Sequence, residues 1–269
     1  ELCCIRIGIV TVSQHHVRLL PLRMNENMIS ESMATEGQWL FRHRGVLPAL
    51  LLIPGVWTLS HFQFLGGSPV WQNAWDWMCF GVSVCGLLVR STTVGFVCDG
   101  TSGRNTRRQI ASELNTTGWY SVCRNPLYLG NFLIMLGIIM VPGNIAYLAV
   151  CACSFWIYYE RIIAAEESFL YGKFGAQFTE WSRATPVFFP RLQCWKAPAH
   201  SLRWRMVLRR EYSSVLLIGI AFFLLNILEY AFAEHRLQFE SEWAIMFTLT
   251  VAIYLTLRSL KKYTTLLQV

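Results

Sequence analysis

Two short polar segments contain the residues of this chain that could carry chemistry. The first, residues 118–130, contains an arginine and an asparagine directly before a proline. The second, residues 161–167, begins with an arginine and ends with two adjacent glutamates. Charged groups close to hydrocarbon are costly, so an arginine, an asparagine and two glutamates held together beside a bilayer indicate a functional site.

The spacing of the two segments predicts how the chain brings them together. The residues between them are mostly apolar and are broken only by Pro142-Gly143-Asn144. Two membrane helices joined by a tight turn fit that length. Such a hairpin would return the chain to the membrane face from which it started, so both polar segments would lie on the same side.

At these residues the chain resembles a known family of integral membrane methyltransferases. The segment Arg-Asn-Pro-Leu-Tyr-Leu-Gly at 124–130 is similar to the family's Arg-His-Pro-x-Tyr-x-Gly signature. The glutamates at 166–167, followed by Phe-Gly at 174–175, are similar to its second signature. The family includes isoprenylcysteine carboxyl methyltransferases and phospholipid methyltransferases, and the resemblance covers roughly residues 86–190.

We expect an all-α fold, a polytopic membrane bundle of about six helices with its cofactor site at the cytoplasmic face. The resemblance fits this fold. It implies S-adenosylmethionine as the cofactor, with binding residues in both signatures. These residues are Tyr120, Asn125, Pro126, Leu127, Tyr128, Gly130, Glu166 and Glu167. A glutamate beside the cationic cofactor supplies complementary charge, and by position we favour Glu166 as the ligand and Glu167 as the more structural partner.

The chain departs from the family at one position, because Asn125 stands where the signature has a histidine. Asparagine can hydrogen-bond a ligand but is not a base near neutral pH, so a histidine role in proton transfer does not carry over. Pro126 can open a helix, and the free N–H groups of its first turn can bind a carboxylate. Without the resemblance the same residues are ordinary helix-start features, and the glutamates form a solvated pair at the membrane edge.

Composition indicates a membrane protein. Of 269 residues, 54% are hydrophobic and 14% are charged, with a mean hydropathy of +0.38, which is more apolar than a soluble domain of this size. The net charge of +7 fits membrane topology better than nucleic-acid binding. The nine cysteines include no Cys-x-x-Cys pair and several fall in apolar segments, so we expect small buried side chains and neither metal nor disulfides.

Hydropathy predicts six spans after an N-terminal extension over residues 1–36, which we expect to be loosely ordered and without a cleavable signal peptide. The spans are 45–64, 71–97, 127–141, 145–159, 213–233 and 243–257, and we expect the fourth to continue as a helix through Glu167. The membrane methyltransferase domain would then be 37–269, with the signature core at about 86–190 and two additional spans after it. Basic side chains collect in 99–124, in 160–212 and in the tail, so the positive-inside rule puts both termini and both signatures in the cytoplasm.

The charge of the nucleophile decides which substrates the predicted site suits. An amine must lose a proton before it attacks, whereas a carboxylate or phosphate is already anionic and needs only cations that position it. The predicted site lacks a histidine but has arginines around it, which favours O-methylation of an anionic membrane lipid. We expect catalytic roles for Arg161 and Arg124, and substrate binding by Arg90, Arg104 and Asn105.

The residue pattern of 100–121 also resembles bacterial enzymes that methylate the 1-phosphate of lipid A, which implies the bacterial inner membrane. Two alternatives stay open within the family, namely methylation of an isoprenylcysteine carboxylate and of a phospholipid amine. A third, from another class, is a non-enzymatic transporter or assembly factor. A transporter is expected to carry ionisable residues within the membrane on several helices, and Arg90 is the one clear candidate in the sequence.

Overall fold

A computed structural model describes residues 39–40, 52–97 and 111–267, and these residues form helices without a named β-strand. The helices are α1 Leu52–Leu59, α2 Pro69–Gly95, α3 Trp119–Val122, α4 Pro126–Met140, α5 Ile145–Phe174, α6 Ala176–Ala184, α7 Trp204–Ala233 and α8 Ser241–Tyr263. The all-α class is therefore confirmed. The N-terminal extension and the predicted substrate-binding residues Arg104 and Asn105 lie outside the described residues.

Within the described part of the chain, four helices, α2, α5, α7 and α8, are long and apolar enough to cross a membrane, and α4 is a shorter apolar helix. They coincide with five of the predicted spans. Of the predicted first span, 45–64, the structure describes residues 52–64, which include α1. Helices suit this environment because every backbone group within them is satisfied internally. The chain is an integral membrane protein, and the count of six spans stays a prediction.

Small residues let α2 and α4 pack with their backbones in close approach. Ser83 Oγ donates a hydrogen bond to Ile134 O at 2.9 Å, and this hydrogen bond is buried between the two helices. A Cβ added to Gly86 would lie 2.6 Å from Gly130 O, which is too close for any side chain. Close packing of this kind is the usual way in which membrane helices associate tightly. It holds α4, which opens with the first signature, firmly against α2.

The predicted hairpin is present between α4 and α5. Asn144 caps α5 by accepting a hydrogen bond from Tyr147 N at 2.9 Å. From there α5 runs for 30 residues, well past the predicted span, and carries both glutamates of the second signature on its last three turns. It ends at Gly175, whose φ of +52° closes the helix in a conformation that glycine favours.

The segment after α6 folds back along the first signature. Arg124 N donates to Pro186 O at 2.8 Å, and Arg191 N donates to Val122 O at 2.9 Å. Further along, Gly118 N donates to Lys196 O at 2.9 Å. These backbone hydrogen bonds attach residues 185–196 to the turn between α3 and α4, directly over the residues that the sequence singles out.

A buried polar cluster joins α2 and α7 near the hairpin turn. Gln72 Nε2 donates to Asp76 Oδ1 and to Glu229 Oε1, each at 2.8 Å, and also to Val141 O at 3.2 Å. Glu229 is 1% exposed and Asp76 3%. Besides Arg90, the bundle therefore buries the carboxyl groups of Asp76 on α2 and Glu229 on α7.

Candidate active site

The hairpin brings the two signatures into direct contact. Tyr128, on the first turn of α4, donates its hydroxyl hydrogen to Glu166 Oε1 of α5 at 2.7 Å. The Tyr128 ring is buried and packs on the Tyr159 ring, with centroids 4.8 Å apart. The hydrogen bond fixes the carboxylate of Glu166, and the ring contact fixes the tyrosine that holds it.

The second glutamate forms an ion pair with the arginine of the first signature. Arg124 Nη1 lies 2.9 Å from Glu167 Oε2, and the two side chains are 15% and 23% exposed. Among the described residues, Arg124 Nε and Glu167 Oε1 are both buried without a hydrogen bond of ordinary length, and the Asn125 side chain is a further hydrogen-bonding neighbour of Glu167. Buried polar groups are normally paired, so these two atoms can each take a partner from a bound ligand.

Asn125 has a structural partner at the entrance to α4. Its side-chain Nδ2 donates to Val187 O at 3.1 Å, which ties the returning segment to the signature. Its backbone carbonyl accepts hydrogen bonds from the N–H groups of Tyr128 and Leu129, each at 3.1 Å. The N–H groups of Tyr128 and Leu129 are therefore engaged, and Pro126 has no N–H. The prediction that the first turn of α4 binds a carboxylate through its N–H groups then applies to Leu127.

Tyr120 and Cys123 line the same region and both remain protonated near neutral pH. Removal from water raises the pKa of the Tyr120 hydroxyl above its ordinary value, and the nearby Glu166 carboxylate raises it further. Burial raises the pKa of the Cys123 thiol to about 11, and its Sγ donates to Phe188 O at 3.0 Å. A neutral, buried thiol is a poor nucleophile, so Cys123 is a packing residue.

The site is closed on one side by an aromatic cluster. Phe188 of the returning segment packs with Phe155 of α5 and Phe132 of α4, and the cluster continues to Tyr128 and Tyr159. The hydrogen bonds of Asn125 and Cys123 to this segment keep it in place. The arrangement removes water from one flank of the Tyr128–Glu166 contact.

The structure does not bring every predicted residue to this centre. Arg161 precedes Glu166 by five positions on α5, which turns it by about 140° around the helix axis. Its Nη1 contacts Ile157 O at 3.1 Å, and it borders an apolar crevice of about 580 Å³ shared with Leu40 and Tyr158. Arg161 therefore lies on a different face of α5 from the glutamates, and its catalytic role stays a prediction.

Arg90 is also engaged elsewhere. Its guanidinium contacts Glu211 of α7 and Asn131 of α4, and its stem lies over Gly130. Gly130 was predicted to be part of the cofactor site, and in the structure its missing side chain makes room for Arg90. Glu211 was not among the predicted site residues, because it lies in a stretch that was interpreted as a basic loop, whereas α7 already begins at Trp204.

The signatures of the chain match a model of a known protein family. The model described as phospholipid methyltransferase matches residues 80–177, which include both signatures. No solved structure matches the chain. Among the described residues no group of three or more His, Cys, Asp or Glu side chains is placed to hold a metal ion.

The chain is also similar to three curated proteins. It is 32% identical over 148 residues to the nickel-cobalt-cadmium resistance protein NccN of Alcaligenes xylosoxydans xylosoxydans, covering 53% of this chain and 67% of the relative. It is 35% identical over 147 residues to the cobalt-zinc-cadmium resistance protein CzcN of Cupriavidus metallidurans, covering 53% and 65%. It is 26% identical over 116 residues to the protein-S-isoprenylcysteine O-methyltransferase of Schizosaccharomyces pombe, covering 38% and 49%. The chain thus spans about two thirds of the length of the first two relatives.

Proposed function

Because this chain belongs to the phospholipid methyltransferase family, we propose that it transfers a methyl group from S-adenosylmethionine to an anionic oxygen of a membrane lipid. The observation that carries the proposal is the meeting of the two signatures through Tyr128–Glu166 and Arg124–Glu167. Two contacts between a helix start and a helix end make one site from segments that the sequence separates by a whole hairpin.

The unpaired atoms of the ion pair fit the amino-acid end of the cofactor. A carboxylate can accept from Arg124 Nε, and an ammonium group can donate to Glu167 Oε1, so that each buried atom gains a charge-assisted hydrogen bond. Arg124 and Glu167 would thereby hold opposite charges of one ligand while they hold each other. In this proposal Glu167 is a ligand and not only the structural partner that its position in the sequence favoured.

Glu166 and the tyrosines fit the remaining part of the cofactor. When bound, S-adenosylmethionine supplies a methyl group whose bond to a cationic sulfur breaks, leaving the electron pair on sulfur, as the acceptor oxygen bonds to the methyl carbon. Glu166, oriented by Tyr128, places a carboxylate where cationic charge needs compensation. Tyr120, Asn125, Pro126 and Leu127 complete the proposed binding surface, and Phe188 excludes water from it.

The acceptor is proposed to be an oxygen that already carries negative charge. Such an oxygen needs no general base, which agrees with an asparagine in place of the family's histidine. The similarity to an O-methyltransferase also supports an oxygen acceptor. Arg161, at the rim of an apolar crevice, and Arg104, outside the described residues, are proposed to hold the head group. A lipid phosphate such as the lipid A 1-phosphate is our first candidate and an isoprenylcysteine carboxylate the second.

The names of two relatives suggest a setting for this reaction. O-methylation removes a negative charge from a phosphate or carboxylate. Anionic head groups give the membrane surface its negative potential and attract cations. We propose that methylation by this chain lowers the amount of divalent metal held at the bacterial inner membrane, with both signatures and both termini in the cytoplasm.

Mass spectrometry of lipid extracts tests the proposal. Cells that express the chain should contain an anionic lipid heavier by one methyl-for-hydrogen exchange, and feeding methionine labelled in its methyl group should label that lipid. Cells that express a Glu167→Gln variant at equal abundance are the control and should lack the product. If extracts from the two strains are identical, with and without zinc, cobalt or cadmium in the medium, the proposed lipid acceptor is wrong.

A further inference from the structure

The helix α7 lies outside residues 80–177, which the family model matches, yet it reaches the proposed site through Arg90. We propose that Glu211 of α7 is a positioning residue for methyl transfer: it holds Arg90 so that Arg90 sets the placement of the first turns of α4. The inference rests on the proposed function and gives the spans after the signature core a role in it.

The contact between Arg90 and Glu211 is a two-bond fork inside the helix bundle. Arg90 Nη2 lies 2.9 Å from Glu211 Oε1, and Arg90 Nε lies 3.0 Å from Glu211 Oε2. The side chains are 13% and 4% exposed, and Ser214 Oγ donates a further hydrogen bond to Glu211 Oε2 at 2.9 Å. A buried ion pair adds little net stability because both charges lose water, but a paired fork has one geometry.

Arg90 contacts α4 with the rest of its side chain. Its remaining terminal nitrogen, Nη1, donates to Asn131 Oδ1, and its stem fills the space over Gly130. A Cβ at Gly130 would overlap Arg90 Cγ and would also lie 2.8 Å from Gly86 O. The arginine is therefore wedged against α4 along its whole length, from stem to fork. Glu211 fixes the fork from the opposite side.

The contact of Arg90 with α4 lies close to the residues that form the site. Asn131 follows Tyr128 by three positions on α4, which is a rise of about 4.5 Å along the axis. Tyr128 holds Glu166, so a shift of α4 against α2 moves the Tyr128–Glu166 contact with it. The start of α7 is attached independently, because Arg203 N donates to Gly95 O at the end of α2. These contacts make α7 a support for the proposed site.

The substitution Glu211→Gln tests the role because it keeps the size of the side chain and removes its charge. Arg90 then loses its counter-charge and is no longer held in a fork. Small errors of alignment slow chemistry more than they weaken binding, so we expect kcat to fall by about tenfold or more, with the KM for S-adenosylmethionine changing by less than about threefold. Ser214→Ala, which removes only the hydrogen bond that steadies Glu211, should show a smaller fall in kcat with the same split.

Glu229→Gln is the matched control. Glu229 is another buried carboxylate of α7, but it contacts Gln72 at the far end of the helix, about 27 Å from Glu211 at 1.5 Å per residue. Its substitution should leave kcat within about twofold of the unaltered protein, whatever its effect on thermal stability. If Glu211→Gln and Glu229→Gln each lose activity only in proportion to the loss of folded protein, Glu211 is a structural residue and the inference is overturned.

Hydrogen–deuterium exchange supplies a readout that needs no methyl transfer. Glu211→Gln should speed exchange of the amides at the start of α4, including Tyr128 and Leu129, whereas Glu229→Gln should leave that peptide unchanged. Unchanged exchange there in both Glu211→Gln and Ser214→Ala overturns the inference. If the unaltered protein transfers no methyl group at all, the proposed function fails, and the exchange result alone decides whether α7 positions α4.

Discussion

Glu167→Gln should weaken the binding of S-adenosylmethionine. The Glu167 carboxylate makes one ion pair with Arg124 and keeps one buried oxygen without a hydrogen bond of ordinary length among the described residues. Replacement by glutamine preserves the shape of the side chain but removes its negative charge. The Arg124 contact becomes an ordinary hydrogen bond, and an ammonium group at the second oxygen loses its charge-assisted partner.

The size of the effect follows from that lost contact. A hydrogen bond to a charged group contributes about 1.5–3 kcal/mol, and the partial exposure of both side chains favours the lower half of that range. Since each 1.4 kcal/mol is tenfold, S-adenosylmethionine should bind about 10-fold to 40-fold more weakly. Glu166→Gln tests the other glutamate, whose sequence position favoured it as the ligand.

Isothermal titration of purified protein with S-adenosylmethionine measures this directly. Glu160→Gln is the control, because Glu160 is an exposed carboxylate on the same helix, six positions before Glu166. It should keep the unaltered affinity. Equal cofactor affinity in folded Glu167→Gln and in the control would refute the reasoning that the unpaired oxygen marks a ligand site.

Three further outcomes are expected. Gly86→Ala should lower the melting temperature in detergent, because its Cβ would meet the α4 backbone at a cost of about 1–3 kcal/mol. Gly81→Ala is the control and should not lower it, since a Cβ there has nothing within 4 Å. Equal melting temperatures of the two variants would contradict the packing argument. Alkylation at pH 8 should leave Cys123 unmodified in the folded protein, since its pKa of about 11 keeps the thiol protonated until far higher pH, and mass spectrometry of peptides checks this. Cysteines placed singly at Ser68 and Lys196 should be labelled by an impermeant reagent from opposite sides of the membrane, and labelling from one side would refute the predicted topology.

Much of the architecture was predictable because a membrane helix depends on a continuous stretch of apolar residues in the sequence. The positions of α2, α5, α7 and α8 follow from stretches of apolar residues, whose cost of exposure to water does not depend on the rest of the chain. The hairpin followed from the length of the apolar segment and from its proline-glycine turn. Its consequence, that residues 124–130 meet the glutamates of α5, needed only the rule that a hairpin returns to the side from which it came.

The helix boundaries were less predictable, since hydropathy reports the membrane and not the helix. The predicted fourth span, 145–159, was expected to continue as a helix through Glu167, and α5 continues seven residues further to Phe174. The predicted fifth span begins at 213, whereas α7 begins nine positions earlier at Trp204. Glu211 was overlooked for this reason.

The sequence by itself determined that the two signatures are brought together, since residue types and the length of a hairpin are enough for that. Only the tertiary structure decided which charges pair. Arg124 meets Glu167 and not Glu166, Arg90 meets an acid 121 positions later, and Arg161 lies on the face of α5 away from both glutamates. A helix offers its side chains all around its axis, and the face that each one occupies depends on the packing of other helices. Ion pairs between distant segments therefore leave no local pattern, although they decide the chemistry that the site can perform.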